Sequence, residues 1–311
     1  MSERNVFGSL GPGAKSPHVY VVVPAHNRRE LTLACARALA TQTYTATTIV
    51  VVDDGSTDGT AAAVREAFPA VVVLQGDGNL WWTGAVNMGV EWALARCADS
   101  DFLLTLNDDT FVEPGYAARL VETARGLPGS LVGSVLVTDD EQQIVVDGGV
   151  RVNWMTAKYR VLGAGRPLLD VQESGTRESD VDVLSGRGTL VPTEVFRCIG
   201  HYDSARLPHY AADYEFSRRA ARAGYGLCVD RRAVVVSVDE PGTSGPTRSA
   251  RSPLRTVMWH LGSRKSPRCV WYRIRFARLA CPWYALPSYL VFDLTRVMGG
   301  SVRDAVRGSR R

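Results

Sequence analysis

Three consecutive polar side chains, Asn107-Asp108-Asp109, follow an apolar run from Phe102 to Leu106. A buried strand that stops in carboxylates delivers them to the carboxyl edge of a sheet, where open α/β folds bind ligands. Adjacent acids repel one another there, and a hard divalent cation relieves the repulsion. Mg2+ or Mn2+ is held by one or two carboxylates together with substrate phosphates. A turn with helix-capping acids is the competing reading. The pattern also occurs earlier, where the β-branched run Thr48–Val52 ends in Asp53-Asp54-Gly55-Ser56-Thr57-Asp58-Gly59-Thr60. Two more stretches carry candidate chemistry. Gly78-Asn79-Leu80-Trp81-Trp82-Thr83-Gly84-Ala85-Val86-Asn87 sets paired tryptophans beside glycines. That composition can wall a sugar pocket, since sugars pack CH faces on aromatic rings and small residues admit a ligand to the backbone; it also suits a packed helix start. Ser185-Gly186-Arg187-Gly188 offers either an arginine fork for phosphate oxygens or a surface turn.

The elements that position these residues alternate. Val19–Val23 reads as a strand, Pro24–Arg28 as a turn and Glu30–Thr41 as a helix, with apolar residues at helical spacing. Strands at Thr48–Val52, Val71–Leu74 and Phe102–Leu106 follow, with helices after Asp58, over Gly84–Arg96 and over Pro114–Arg125. Strand-helix alternation with Val/Ile/Leu-rich strands predicts a parallel sheet covered on both faces. No GxGxxG follows the first strand, which argues against a dinucleotide fold. The second half is less regular. Strands are expected at Leu131–Val137, Gln143–Val146, Val181–Leu184, Thr189–Val191, Leu227–Val229 and Ala233–Val238. Thr193–Cys198 and Asp213–Ala223 read as helices, the latter closed by Gly224, and 163–180 as a surface loop.

The chain of 311 residues is 45% hydrophobic and 22% charged, ordinary for a globular protein of one large or two small domains. Its six cysteines show no CxxC or metal-ligand spacing and read as reduced thiols of a cytosolic protein. No signal-peptide pattern and no spanning apolar stretch is visible. The net charge of +4 hides an asymmetry: from Pro241 to Arg311 there are 14 arginines or lysines and two acids, so the preceding body is acidic. Such a tail suits an anionic partner.

Four stretches together make the chain resemble a family 2 glycosyltransferase of the GT-A fold, over residues 18–240. Val22-Val23-Pro24-Ala25-His26-Asn27-Arg28 matches the family's opening strand and turn, and Val52 to Thr60 its nucleotide-contacting acidic turn. Asn107-Asp108-Asp109 matches the metal motif, and His209-Tyr210-Ala211-Ala212-Asp213-Tyr214-Glu215 with Arg218 and Gly224-Tyr225 the late acidic helix start. The resemblance implies a Rossmann-like, mostly parallel sheet with helices on both faces and a smaller mixed acceptor-side sheet. It implies a nucleotide-binding half over 18–126 and an acceptor half over 127–240, after a loose lead-in at 1–17. The activity implied is metal-assisted transfer of a sugar, with inversion, from a UDP or dTDP donor to a hydroxyl of a glycan, glycolipid or natural product, many members being rhamnosyltransferases.

Residue by residue, the resemblance makes Asp213 the general base and Asp109, then Asp108, the ligands of Mg2+ or Mn2+. Asp53 and Asp54 would take the base imide and ribose hydroxyls, with Pro24, His26 and Asn27 in the same pocket. Asn79, Trp82, Thr83, Gly84, Asn87, Asn107 and Asp108 fall on the donor side, and Trp81, Gly186 and Arg187 on the acceptor or phosphate side. Two departures matter: Asn107 stands where the metal motif usually begins with Asp, and Ala212 replaces a usual Glu, leaving Asp213 as the single carboxylate. A nucleotidyltransferase of sugar activation and a non-catalytic scaffold are the alternatives. The first lacks its phosphate loop at Val23–Arg29, and the second has no need of acids at 54, 109 and 213.

Residues 241–311 form a basic, aromatic-rich extension expected to be helical. Leu279–Phe292 carries no charge but is broken by Pro282 and Pro287, too short to span a bilayer. It suits an interfacial segment at an anionic membrane or a helical extension packed on the body. No nucleic-acid module is present. The expected location is cytoplasmic, with attachment to the inner face of the cell membrane as what the tail allows.

Overall fold

A computed structural model describes residues 16–238 and 253–308. The lead-in at 1–15 and the body-tail boundary at residue 240 lie outside the described residues.

β1 (Val19–Ala25) is buried at all seven positions and leads into α1 (Arg29–Ala40). β2 (Thr47–Asp53), α2 (Thr60–Ala67), β3 (Val72–Gln75), α3 (Trp81–Leu94) and β4 (Phe102–Thr105) continue the alternation. A short β5 (Thr110–Val112), missed in the sequence because only three residues pair, precedes α4 (Tyr116–Gly126) and β6 (Ser130–Thr138). Then come β7 (Val145–Asp147), β8 (Val150–Asn153), β9 (Lys158–Val161), α5 (Leu168–Glu173), β10 (Arg177–Glu178), β11 (Thr189–Pro192), α6 (Thr193–Ile199), α7 (Ala212–Arg222) and β12 (Gly226–Ser237). The tail is helical: α8 (Pro253–Gly262), α9 (Val270–Ala280) and α10 (Leu286–Gly308).

The main sheet runs β10-β12-β6-β11-β4-β1-β2-β3. β1 pairs in parallel with β2 and β4, β2 with β3, and β6 with β12, so these strands share a carboxyl edge within each parallel block. β11 is antiparallel to both β4 and β6. Its entry therefore lies at the exit of β4: Thr189 registers with Thr105, and the Gly188 N–H donates to the Thr105 carbonyl at 2.8 Å. One reversed strand thus brings 185–188 to the edge where β4 releases Asn107–Asp109. Both faces of the sheet are covered. Alternate β1 residues Tyr20 and Val22 pack with α3 and, further along, α7 and α9, whereas Val19, Val21 and Val23 pack with α1, α2 and α4.

The mixed second half is continuous with the main sheet, and the smaller sheet is the antiparallel pair β8–β9. Three local expectations are corrected. Residues 163–180 are not all loop, because Leu168 and Val171 are buried and form the inner face of α5. Val181–Leu184 is not a paired strand; only Val183 bridges, to Val150, although Val183 and Leu184 are buried. The two late strands are one, β12, bulged between Asp230 and Val234. The charged residues that suggested a break serve each other there. Buried Asp230 accepts from Thr123 Oγ1 at 2.6 Å and from Arg232 Nη2 at 2.9 Å.

The tail packs on the body. Tyr272, Phe276 and Tyr289 join the main core, and Trp154 stacks between Phe276 and Tyr289. Arg222 caps the end of α9 by donating to the carbonyls of Leu279 and Ala280 at 2.8 and 2.6 Å. Of the uncharged stretch Leu279–Phe292, residues Ala280, Cys281, Ala285 and Tyr289 are buried in this packing.

Candidate active site

Where β4 ends, Asp108 and Asp109 share one cation. Arg28 Nη1 reaches Asp108 Oδ1 at 3.1 Å and Asp109 Oδ2 at 2.8 Å. Arg28 is available because β1, the neighbour of β4, exits beside it and turns into α1. The other oxygens, Asp108 Oδ2 and Asp109 Oδ1, are buried with no hydrogen-bond partner among the described residues. A bare carboxylate oxygen in a low-dielectric site is costly. The cost registers in Asp108, whose pKa burial pushes up to about 7, with Arg28 opposing and Asp109 adding to the rise. Among the described residues no three His, Cys, Asp or Glu side chains form a metal cage. Two bare hard oxygens from adjacent residues nevertheless fit the protein share of a Mg2+ or Mn2+ site completed by phosphates. Asn107 is otherwise engaged: its Oδ1 accepts from Trp82 Nε1 at 2.9 Å.

Asp213 stands at the start of α7, after Ala211, whose φ of +65° is left-handed. Non-glycine residues hold that conformation only when their surroundings impose it. Asp213 Oδ2 accepts from the Gly186 N–H at 2.8 Å and Oδ1 from the Tyr214 N–H at 2.9 Å. Burial pushes its pKa above the ordinary carboxylate value; those N–H groups and the Arg187 guanidinium oppose the rise. The result is an ionisable base, aimed by two backbone donors and made more basic by its setting.

One cavity of about 630 Å3 is lined by Arg28, Trp82, Asn107, Asp109, Gly186, Arg187 and Asp213. Trp82 joins its two ends. The indole holds Asn107, and its ring edge lies against Gly186, where any Cβ would overlap the ring and sit 3.3 Å from Asp213 Cβ. Glycine is required there by close approach.

The remaining predicted residues lie outside this lining. His26 Nδ1–H donates to the Asp54 carbonyl at 2.6 Å, and Asn27, at φ +52°, accepts from the Thr57 N–H at 2.8 Å, so these residues lock the β1 and β2 exits together. Pro24 is the penultimate residue of β1. Asp53 accepts from Ser56 N and Gln75 Nε2, and Asp54 from Gly78 N and Trp81 N. Asn79 sits exposed in the loop that Asp54 ties down. Thr83 donates to the Leu207 carbonyl at 2.6 Å, and Asn87 exchanges two bonds with Tyr202, tying α3 to the segment that leads to α7. Gly84 is packed against Leu80 within that helix start. Trp81 meets His209 edge-on at 5.3 Å between centroids.

Sequence reasoning assigned no role to several lining residues: Arg28, Tyr159, His209, Tyr272, Arg273 and Phe276. Arg28 had a signal, as the last residue of the β1 turn motif. The α9 residues had none, because nothing local marks a contact across more than 50 residues. His209 Nδ1 and the Tyr272 hydroxyl are buried without a partner, and burial beside Lys265 lowers the His209 pKa to about 4, so the ring is neutral near pH 7.

The profile of glycosyl transferase family 2 matches residues 20–175, half of the chain. The chain belongs to that family. A Mycobacterium tuberculosis protein described as N-acetylglucosaminyl-diphospho-decaprenol L-rhamnosyltransferase is 26% identical over 306 residues, covering 88% of this chain and 89% of that one. The fold is similar to that of GalNAc-T7 solved with UDP, GalNAc and Mn2+, with TM-score 0.58 and 16% identity, covering 91% of this chain and 56% of that structure. It is similar also to a Pyrobaculum calidifontis mannosyltransferase in complex with GDP-Man and Mn2+, with TM-score 0.57 and 16% identity, covering 95% and 76%. The architecture is that of GT-A glycosyltransferases, and this family 2 chain is a glycosyltransferase.

Proposed function

We propose that this enzyme transfers a sugar, with inversion, from a UDP or dTDP sugar to an acceptor hydroxyl, assisted by Mg2+ or Mn2+. The observation that carries the reading is one cavity lined by both Asp109, with its bare oxygen, and Asp213, held by two N–H donors. Asp109 and Asp108 would hold the cation, which when bound supplies charge neutralisation to the departing diphosphate. Pro24, His26, Asn27, Asp53 and Asp54 form the nucleotide end, where the crossed turns fix the base and ribose. The Trp82 ring walls the sugar. Asp213 accepts the acceptor's hydroxyl proton as that oxygen attacks the anomeric carbon and the bond to the diphosphate breaks. Asp213 is the one proposed base, and the buried carboxylate near it, Asp147, is held by the Gly149 N–H and lies outside the cavity lining, which suits direct displacement. Arg187 offers its fork to phosphate oxygens.

The rhamnosyltransferase relative supports an L-rhamnosyl donor and a lipid-linked diphosphate acceptor, hence a role in cell-wall or polysaccharide synthesis at the cytoplasmic membrane face. The test is hydrolysis of a nucleotide-sugar panel, dTDP and UDP forms, with and without Mn2+ or Mg2+. One donor is cleaved slowly and only with metal by the wild type, and not by Asp109→Ala. Absence of metal-dependent nucleotide binding and hydrolysis across the panel would overturn the reading.

A further inference from the structure

The tail leaves one feature that the cavity does not use. α10 buries Tyr289, Asp293, Val297, Ser301 and Ala305 on the face it turns to α8, α9 and the body, yet its opposite face is also apolar. Val291, Met298 and Val302 are 64, 54 and 51% exposed, and Phe292 49%. At 100° per residue these side chains form one stripe along the helix. Immediately before α10, Trp283 and Tyr284 are 85 and 64% exposed. Arg303, exposed, falls along one edge of the stripe, beside Arg296, whose guanidinium donates to the Thr156 and Ala157 carbonyls. An apolar stripe of this size facing water marks an interaction surface.

We infer that the outer face of α10, with Trp283 and Tyr284, docks on the surface of an anionic lipid bilayer. Charge selects this occupant. Residues 253–308 hold ten arginines or lysines and two acids. Both acids are consumed internally: Asp293 by Arg273, and Asp304 by Arg268 at 2.7 Å. The helical layer that carries the stripe therefore has a net positive charge. A two-fold contact through this face would bring two such layers together. An anionic headgroup layer complements that charge, aromatic rings sit at that level, and aliphatic side chains enter the acyl boundary. Among the described residues no helix is long and apolar enough to cross a membrane, so the face lies on the bilayer rather than spanning it.

The same helical layer reaches the cavity. α9 lines it with Tyr272, Arg273 and Phe276, and Arg273 is ion-paired to Asp293 on the inner face of α10. The Tyr159 hydroxyl, also at the cavity, bonds that of Tyr289. Docking through α10 therefore holds the cavity beside the lipid surface, which deepens the proposed lipid-linked acceptor and rests on it for purpose alone.

The test is co-sedimentation of the full chain with vesicles of phosphatidylglycerol and phosphatidylcholine, or of phosphatidylcholine alone. The wild type binds the anionic vesicles. A Trp283→Ser/Phe292→Ser variant loses about tenfold in affinity, and Arg303→Gln about fivefold, each with an unchanged melting temperature. Undiminished binding by these variants, or no binding by the wild type, overturns the inference. So does a wild-type dimer that the double variant dissociates, which would assign the stripe to a second copy. Metal-dependent donor hydrolysis, measured without vesicles on the same preparations, reports separately on the proposed function.

Discussion

Two acidic pairs leave parallel strands on either side of β1, β2 and β4, and they end in opposite states. Asp53-Asp54, after β2, has all four carboxylate oxygens engaged by backbone or amide N–H donors. Asp108-Asp109, after β4, shares Arg28 and keeps two buried oxygens bare. The sequence pattern is the same, apolar strand then paired acids. What differs is the chain that follows. At the end of β2, the segment 76–81, which leaves the neighbouring strand β3, donates the Gly78 and Trp81 N–H groups to Asp54. After β4, the chain turns directly into β5, which pairs with β12, and among the described residues no loop returns to cover the acids. The first pair acts as a staple for the turns from which the proposed nucleotide end is built; the second keeps the bare oxygens that the proposed metal ligand set requires.

The comparison is sharpened by substitutions on either side. The largest effect is expected at the third acid. Asp213→Asn removes the proposed proton acceptor while keeping shape, and transfer should fall by about 1,000-fold in steady-state assays, with nucleotide binding intact. Next, Asp109→Ala should weaken metal-dependent nucleotide binding by roughly 100-fold and leave the metal-free melting temperature unchanged or higher, since a like-charge contact is relieved. Asp54→Ala should do the reverse. It strands the Gly78 and Trp81 N–H groups and should cost about 2–3 kcal/mol in denaturant unfolding, whether or not metal is present. Equal stability losses in these two variants would erase the distinction between staple and ligand set.

The base end gives two smaller tests. Gly186→Ala pushes a methyl group into the Trp82 ring and should cost about 1–3 kcal/mol, with transfer impaired beyond donor hydrolysis because Asp213 is displaced. The smallest effect is in pH. The Asp213 pKa is raised by burial and lowered by Arg187. The active base is ionised, so activity climbs as pH rises through a value above the ordinary carboxylate range. Arg187→Gln removes the opposing charge, so the acid limb of the pH–rate profile should move to higher pH.

Much of the fold was legible because it is local. The runs at Val19–Val23, Thr48–Val52 and Phe102–Leu106 are apolar throughout, as strands covered on both faces must be, and each became a parallel strand. The acids were found because they stop those runs abruptly. Their fates were not legible, since Asp54 is satisfied by N–H groups more than 20 residues away, whereas Asp109 meets Arg28 with one oxygen and keeps the other bare. Val181–Leu184 misled for a related reason: burial against β8 demands apolar residues without demanding a ladder. The α9 wall was invisible because Tyr272, Arg273 and Phe276 reach the cavity only through tertiary packing.

The central claim is that one cavity has a metal end at Asp109 and a base end at Asp213. Titration calorimetry of UDP and dTDP, with and without Mn2+, tests it on the wild type, Asp109→Ala and Asp213→Asn. The account predicts that Mn2+ strengthens nucleotide binding to the wild type and to Asp213→Asn, and that this gain disappears in Asp109→Ala. A gain that survives in Asp109→Ala, or vanishes equally in both variants, would contradict it.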